Sequence, residues 1–117
     1  MGGESSHHRI YAAIDNQQVE HQSIVVETSS MINKLRVKIL FDSGATDSFI
    51  SPVALEKCVL VAYEHNDFKQ VEMASGIRQV GRSVDQCQVN LRVCMTKLKA
   101  YVTTLGTHDV IIGMDWL

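Results

Sequence analysis

An acid, a hydroxyl and a glycine in succession, Asp42-Ser43-Gly44, are the residues whose types and spacing can do chemistry in this chain. They close the apolar run Ile39-Leu40-Phe41, and apolar residues return at Phe49-Ile50. An Asp-Ser-Gly tripeptide by itself is an ordinary turn. Apolar flanks on both sides are wrong for a surface turn. They put the acid at the end of a buried strand, the setting in which carboxyls are tuned for proton transfer. Gly44 allows a sharp turn or a close backbone approach that a side chain would block. The Ser43 hydroxyl can bond a neighbouring backbone group and hold the loop in place.

Metal binding is the competing chemistry, and the spacings argue against it. Cys87 and Cys94 bracket the alternating stretch Gln-Val-Asn-Leu-Arg-Val and lie an odd number of residues apart. On one continuous strand their sulfurs point to opposite faces. Cys58 stands alone, and no histidine has a zinc-like spacing with a cysteine. His7 and His8 sit in a polar terminus and read as solvent-exposed. We therefore expect no metal. The opening MGGESSHHRI lacks the apolar stretch of a secretion signal. The cysteines then read as reduced thiols of an intracellular, cytoplasmic protein.

The elements that must position Asp42 follow from the pattern along the chain. With 117 residues, one domain is expected. Hydrophobic residues at 45% and charged residues at 21% exclude a disordered chain. A net charge of −2 offers no basic field, so neither nucleic acid nor an anionic membrane surface is an expected partner. No apolar run approaches the roughly 20 residues of a membrane helix.

Residues 1–22 read as a polar N-terminal extension with a short element around Ile10 to Ile14, and residues 23–117 as the folded domain. Ile24-Val25-Val26 starts one strand. Val37, Ile39 and Phe41 mark a second, with a turn at Asn33-Lys34. Ser51 caps a short helix opened by Pro52 and running to about Lys57. Val71 and Met73 share one face of a strand that turns at Ser75-Gly76, and Val80 and Val84 continue the return strand with a bulge at Gly81. Val89, Leu91 and Val93 pair with Leu98, Ala100 and Val102 across a turn near Met95-Thr96, and Val110-Ile111-Ile112 is the last strand. The fold class is all-β: a closed or nearly closed barrel of seven or eight short strands with little helix.

The stretch LFDSGATDSFIS resembles the active-site signature of aspartic proteases, and DVIIGMDWL resembles the later hydrophobic-hydrophobic-glycine element of the same enzymes. Together they are most similar to the retropepsin-like proteases of Ty3/Gypsy-type LTR retrotransposons, over about residues 23–117. The resemblance implies that Asp42 is catalytic. It implies that the Ser43 hydroxyl interlocks two active-site loops and that Gly44 and Ala45 line the substrate backbone, with Thr46 completing the loop. It places Ile112 and Gly113 beneath that loop as support. It makes Met73, Ala74, Ser75, Gly76 and Ile77 a flap over an extended peptide. Ile50, Ile77 and Val110 are the candidate pocket residues. In that family a helix and a final strand follow the glycine element, so the C-terminal helix and strand are expected to be truncated here.

Aspartic proteases use two carboxylates that share one proton, one activating a water and the other protonating the scissile carbonyl. Asp15, Asp47, Asp67, Asp85, Asp109 and Asp115 are not followed by Ser/Thr-Gly. The resemblance therefore implies a homodimer, with the active site on its twofold axis and a peptide or polyprotein as substrate. No cofactor is implied. The alternative is an inactive or domesticated domain that serves as a dimerisation or interaction module. A ubiquitin-linked retropepsin-like domain of a cellular protein ranks behind both, because DVIIGMDWL is more like the element version.

Overall fold

In the computed structural model, residues 24–73, 75–91 and 94–115 are described. The expected N-terminal extension and its element around Ile10 to Ile14 lie outside them. Asn33 and Lys34 both take positive φ, 51° and 69°. That is the two-residue hairpin geometry whose twist matches the flanking strands. It joins β1 (Val25–Ile32) to β2 (Leu35–Asp42) with Ile32 opposite Leu35 and Val25 opposite Asp42. The turn predicted at Asn33-Lys34 is thus where the chain reverses. The Asn33 side chain donates to the Cys58 carbonyl at 2.7 Å, tying this turn to the far end of the helix.

After β2 come β3 (Ser48–Ile50), α1 (Pro52–Lys57), β4 (Tyr63–Met73), β5 (Gly76–Asn90), β6 (Met95–Val102) and β7 (Val110–Ile112). The sheet runs β1-β2-β7-β3-β6-β5-β4, and Met31 on β1 also bridges to Asn90 on β5. Six strands thereby close into a ring, and β4 lies outside it on β5. A nearly all-β domain with one short helix is the architecture expected from the sequence. β7 and β3 are too short to stand alone. They survive because β7 is wedged between β2, which it parallels, and β3, and each of their residues is buried.

Two faces of these strands feed two cores. Ile32, Val37, Ile39, Ile50, Val110 and Ile112 fill the ring together with Leu55 of the helix. Phe49, Ile111, Val71, Val80 and Tyr101 form a second cluster with Ala45. Alternation along β3 and β7 sorts neighbouring residues into opposite clusters.

Two expectations need correcting. The β4–β5 irregularity does fall at Gly81, between the paired Val80 and Arg82, but its extra residues sit in β4, between Glu64 and Lys69. Gly81 itself leaves room for an aromatic ring. A Cβ there would meet Phe68 Cε1 at 2.8 Å, so the glycine lets the ring lie across the strand. The β5–β6 turn lies between Leu91 and Cys94, whose N–H and C=O groups bond one another, and Met95 already belongs to β6. Val89 therefore faces Thr96 and Cys87 faces Leu98, and Val93 lies outside the described residues. A one-residue irregularity between Val84 and Cys87 moves the inward face of β5 from even to odd positions. Local alternation cannot reveal such a shift. Cys87 and Cys58 are consequently buried while Cys94 is exposed, and all three thiols are free. Burial pushes the Cys87 thiol up to about 11.

The helix is capped as expected. Ser51 Oγ accepts from Ala54 N–H at 3.0 Å, and Pro52 opens the first turn. At the other end Val59 N–H donates to the Glu56 carbonyl and Leu60 N–H to the Leu55 carbonyl, the two bonds of a Schellman motif. That motif favours glycine at the left-handed position, yet Val59 stands there with φ 54° and 82% exposure. A β-branched residue in this region costs roughly 1–2 kcal/mol. Glycine costs about 0.5–1 kcal/mol through the freedom it adds to the unfolded chain. Val59→Gly is therefore expected to stabilise the domain by about 0.5–1 kcal/mol, seen as a raised midpoint in urea with unchanged slope.

Candidate active site

Asp42 ends β2 where both faces of the strand are covered, and 3% of its surface remains exposed. The chain turns immediately. Ala45 N–H donates to the Asp42 carbonyl at 3.1 Å, and Gly44 N–H donates to Asp42 Oδ1 at 2.8 Å. The second bond fixes the plane of the carboxyl. Among the described residues, none donates to Oδ2.

The loop after Asp42 is held from three directions. Ser43 and Ile24 clasp each other: Ser43 N–H donates to the Ile24 carbonyl at 3.0 Å, and Ile24 N–H donates to Ser43 Oγ at 2.7 Å. The end of β7 supports the loop from beneath. Met114 N–H donates to the Ala45 carbonyl at 2.8 Å, and Gly113 N–H donates to Ser48 Oγ at 3.2 Å. Ser48 in turn donates to Asp115 at 2.8 Å. Ile112 is fully buried opposite Phe41. A side chain at Gly113 has no room, since a Cβ would stand 2.2 Å from the Asp47 carbonyl oxygen. The third tie comes from β4. Lys69 Nζ lies 3.1 Å from the Tyr101 hydroxyl and 3.5 Å from Asp47 Oδ1, and 4.8 Å from the centre of the Tyr101 ring. The hydrogen bond to Tyr101, helped by the Asp47 charge, outweighs partial burial and holds the Lys69 ammonium above the usual lysine range. Lys69 is half-exposed, so its worth is in position rather than stability.

Asp42 opens onto a cleft of about 240 Å³. Its floor is the upper surface of the second core cluster, with Leu40, Ala45, Met73, Leu105 and Ile111 contributing apolar walls. The β4–β5 hairpin forms one side. Met73 pairs with Gly76, which takes φ 128°, so the chain reverses at the position where the flap is expected. Ala74 lies outside the described residues. The pocket residues expected from the sequence are displaced. Ile50 and Val110 are wholly buried in the ring, and Ile77 is 61% exposed and does not line the cleft. Their strand neighbours Phe49 and Ile111 face the second cluster instead, because a step of one residue reverses the face.

Comparison with known proteins follows the geometry. Residues 28–117 match the family described as "gag-polyprotein putative aspartyl protease". The chain belongs to this family. It is also 26% identical over 123 residues to "Protein DDI1 homolog" of Leishmania major, an alignment covering 93% of this chain and 32% of that protein. The chain thus spans about a third of the length of that relative. Among solved structures, the retroviral protease-like domain of Ddi1 from Leishmania major superposes with a TM-score of 0.58 at 25% identity, over 78% of this chain and 73% of that one. The chain therefore carries a retropepsin-like aspartyl protease domain. The finer Ty3/Gypsy assignment is not carried by these relatives, since the curated one is a DDI1 homolog.

The structure brings together Asp42, Ser43, Gly44 and Ala45 with Ile112 and Gly113 beneath them, while Thr46 is exposed and donates to Asp47 at 3.2 Å. Reading the sequence missed Lys69, Arg78 and the segment from Thr103 to Leu105. No local pattern marks these residues, because their partners are distant in the chain. Asp109 opens the DVIIGMDWL stretch. Its carboxylate accepts from Lys38 N–H at 2.8 Å, and its N–H donates to the Lys38 carbonyl at 3.0 Å, which sets the register of β7 against β2.

Proposed function

We propose that the chain is one half of an aspartic endopeptidase, active as a homodimer in which two Asp42 carboxylates share a proton across a twofold axis. The observation that carries this reading is the half-satisfied carboxyl of Asp42. The residue is almost fully buried, Oδ1 accepts from Gly44, and Oδ2 accepts from none of the described residues. A buried polar atom without a partner costs about 1–3 kcal/mol, more when charged. A second Asp42 facing the first removes that cost by sharing one proton. One carboxylate takes a proton from a water as it attacks the peptide carbonyl, while the other protonates the carbonyl oxygen. The Ser43 hydroxyl accepts from Ile24 and donates to none of the described residues, so its hydrogen is available for the partner loop. The apolar cleft beside Asp42 and the hairpin above it suit an extended peptide, with Met73, Ser75, Gly76 and Ile77 in the flap.

The substrate follows from which relatives the chain serves beside. The family description favours processing of a gag-type polyprotein, as expected for a retrotransposon protease. Similarity to a DDI1 homolog over nearly the whole chain favours instead a domain that belongs to a cellular protein. An inactive dimerisation module remains the contrasting class, and the intact Asp42-Ser43-Gly44 speaks against it. The discriminating measurement is hydrolysis of quenched fluorescent peptides over a dilution series, with sedimentation run in parallel. Where the dimer is mostly dissociated, the rate should rise with about the square of protein concentration. Strict proportionality from a species of monomeric mass would end the shared-carboxyl reading.

A further inference from the structure

Arg78 lies two positions beyond the hairpin tip, on β5, and forms part of the cleft wall that holds Asp42. Its guanidinium reaches across to the segment after β6. Nη1 donates to Thr103 Oγ1 at 3.0 Å and to Thr104 Oγ1 at 3.3 Å, and also to the Thr104 carbonyl. Nη2 donates to Ser75 Oγ at 3.2 Å. All these acceptors are neutral. No carboxylate among the described residues pairs with Arg78. The imidazole on the same wall, His108, is engaged with Glu27 at 2.7 Å. The rest of the lining is apolar apart from hydroxyls, Asp42 and His108, and none of the bonds that Arg78 makes goes to a carboxylate among the described residues.

We propose that Arg78 is a specificity-determining residue that selects peptides bearing a Glu or Asp side chain beside the scissile bond. The inference rests on the peptide-binding reading of the same cleft. Four bonds to neutral oxygens hold the fork in position without cancelling its charge, which is how a guanidinium is preorganised for a carboxylate. Nε carries none of these bonds. Its N–H can donate to an oxygen of a substrate carboxylate, with Nη2 beside it on the same edge of the fork. Met73, Leu105 and Ile111 supply the apolar walls along which the methylenes of a glutamate can lie. A lysine or arginine in that position meets like charge in a partly desolvated cleft and is rejected. Arg78 touches the substrate in this account and takes no part in proton transfer.

The test uses the Asp42→Asn chain, so that binding is read without turnover, and wild-type chain for cleavage. The probes are fluorescent apolar peptides with a single Gln or Glu moved through successive positions. We expect one position where Glu binds about tenfold more tightly than Gln, the return on one desolvated charge-assisted pair. The same position should show about tenfold higher kcat/KM in the wild type. Arg78→Gln should bring the ratio to about one, and Arg78→Lys should keep part of it, because charge survives while the fork is lost. Thermal melts of each variant separate lost recognition from lost folding. Equal binding of Glu and Gln peptides at every position, or a preference unchanged in Arg78→Gln, overturns the inference. Cleavage without acidic preference refutes Arg78 selection and leaves the protease reading intact. Acid-selective binding without cleavage does the reverse.

Discussion

Asp42→Asn should lower peptide hydrolysis by at least about a thousandfold while the domain melts within a few degrees of the wild type. The two halves of this expectation have separate causes. The carboxamide is nearly isosteric and its oxygen can still accept from Gly44 N–H, the one bond that the Asp42 side chain makes among the described residues. Nothing else in the loop depends on a charge at this position, since Ser43, Ala45 and Gly113 are held through backbone groups and hydroxyls. The chemistry, by contrast, needs a group that can give and take a proton at one place, and an amide does neither. In a dimer each substituted chain removes one of the two acids, so mixed dimers formed with wild-type chain should also be inactive. The measurement is a fluorogenic peptide assay beside circular dichroism and a thermal melt. Substantial residual turnover by rigorously purified Asp42→Asn protein would show that the acid is not Asp42.

Gly113→Ala should destabilise the domain by at least about 3 kcal/mol, or a fall in melting temperature of more than about 10 °C. The cause is space rather than backbone freedom. The added Cβ would lie 2.2 Å from the Asp47 carbonyl oxygen and 2.7 Å from that of Ala45. Both obstacles are backbone, and the Ala45 carbonyl is already committed to Met114 N–H. A flexible side chain could swing away; these carbonyls can move only if the active-site loop moves. The substitution therefore strikes stability and activity together, because the loop it displaces is the one that orients Asp42. Gly106 provides the contrast. It takes φ 66° with nothing near its missing Cβ, so alanine there costs only the left-handed conformation, about 1–2 kcal/mol. If Gly113→Ala were no worse than Gly106→Ala in urea unfolding, close packing beneath the loop would not be what demands the glycine.

The two expectations join at one structural point. Short β7 holds the loop after Asp42 up, and the Asp109 side chain and backbone lock β7 to β2 at Lys38. A domain of this size has few residues to spare for its site, so the strand that completes the ring also serves as the shelf under Asp42. The flap side is tied less firmly, through the exposed ends of Lys69 and Arg78. Rigid support beneath the acid with side-chain ties above it is the division expected if the cleft admits a peptide as proposed.

What was legible in the sequence was what local physics determines. Alternation made β2 a strand with Val37, Ile39 and Phe41 on one face, Asn33-Lys34 made its hairpin, and Ser51-Pro52 capped the helix where it lies. The acid at the end of an apolar run told of burial, and Asp42 is buried. Tertiary structure alone decided the irregularity between Val84 and Cys87, the residues that wall the cleft, and the reach of Arg78 to Thr103 and Thr104. The physical reason is range. A strand's two faces follow from a period of two residues, whereas the face that becomes a pocket depends on partners far along the chain. The DSGATDSFIS and DVIIGMDWL stretches marked the acid and its shelf, but only the ring that joins β2, β7 and β3 places Gly113 under Asp47 and leaves one oxygen of Asp42 without a donor among the described residues.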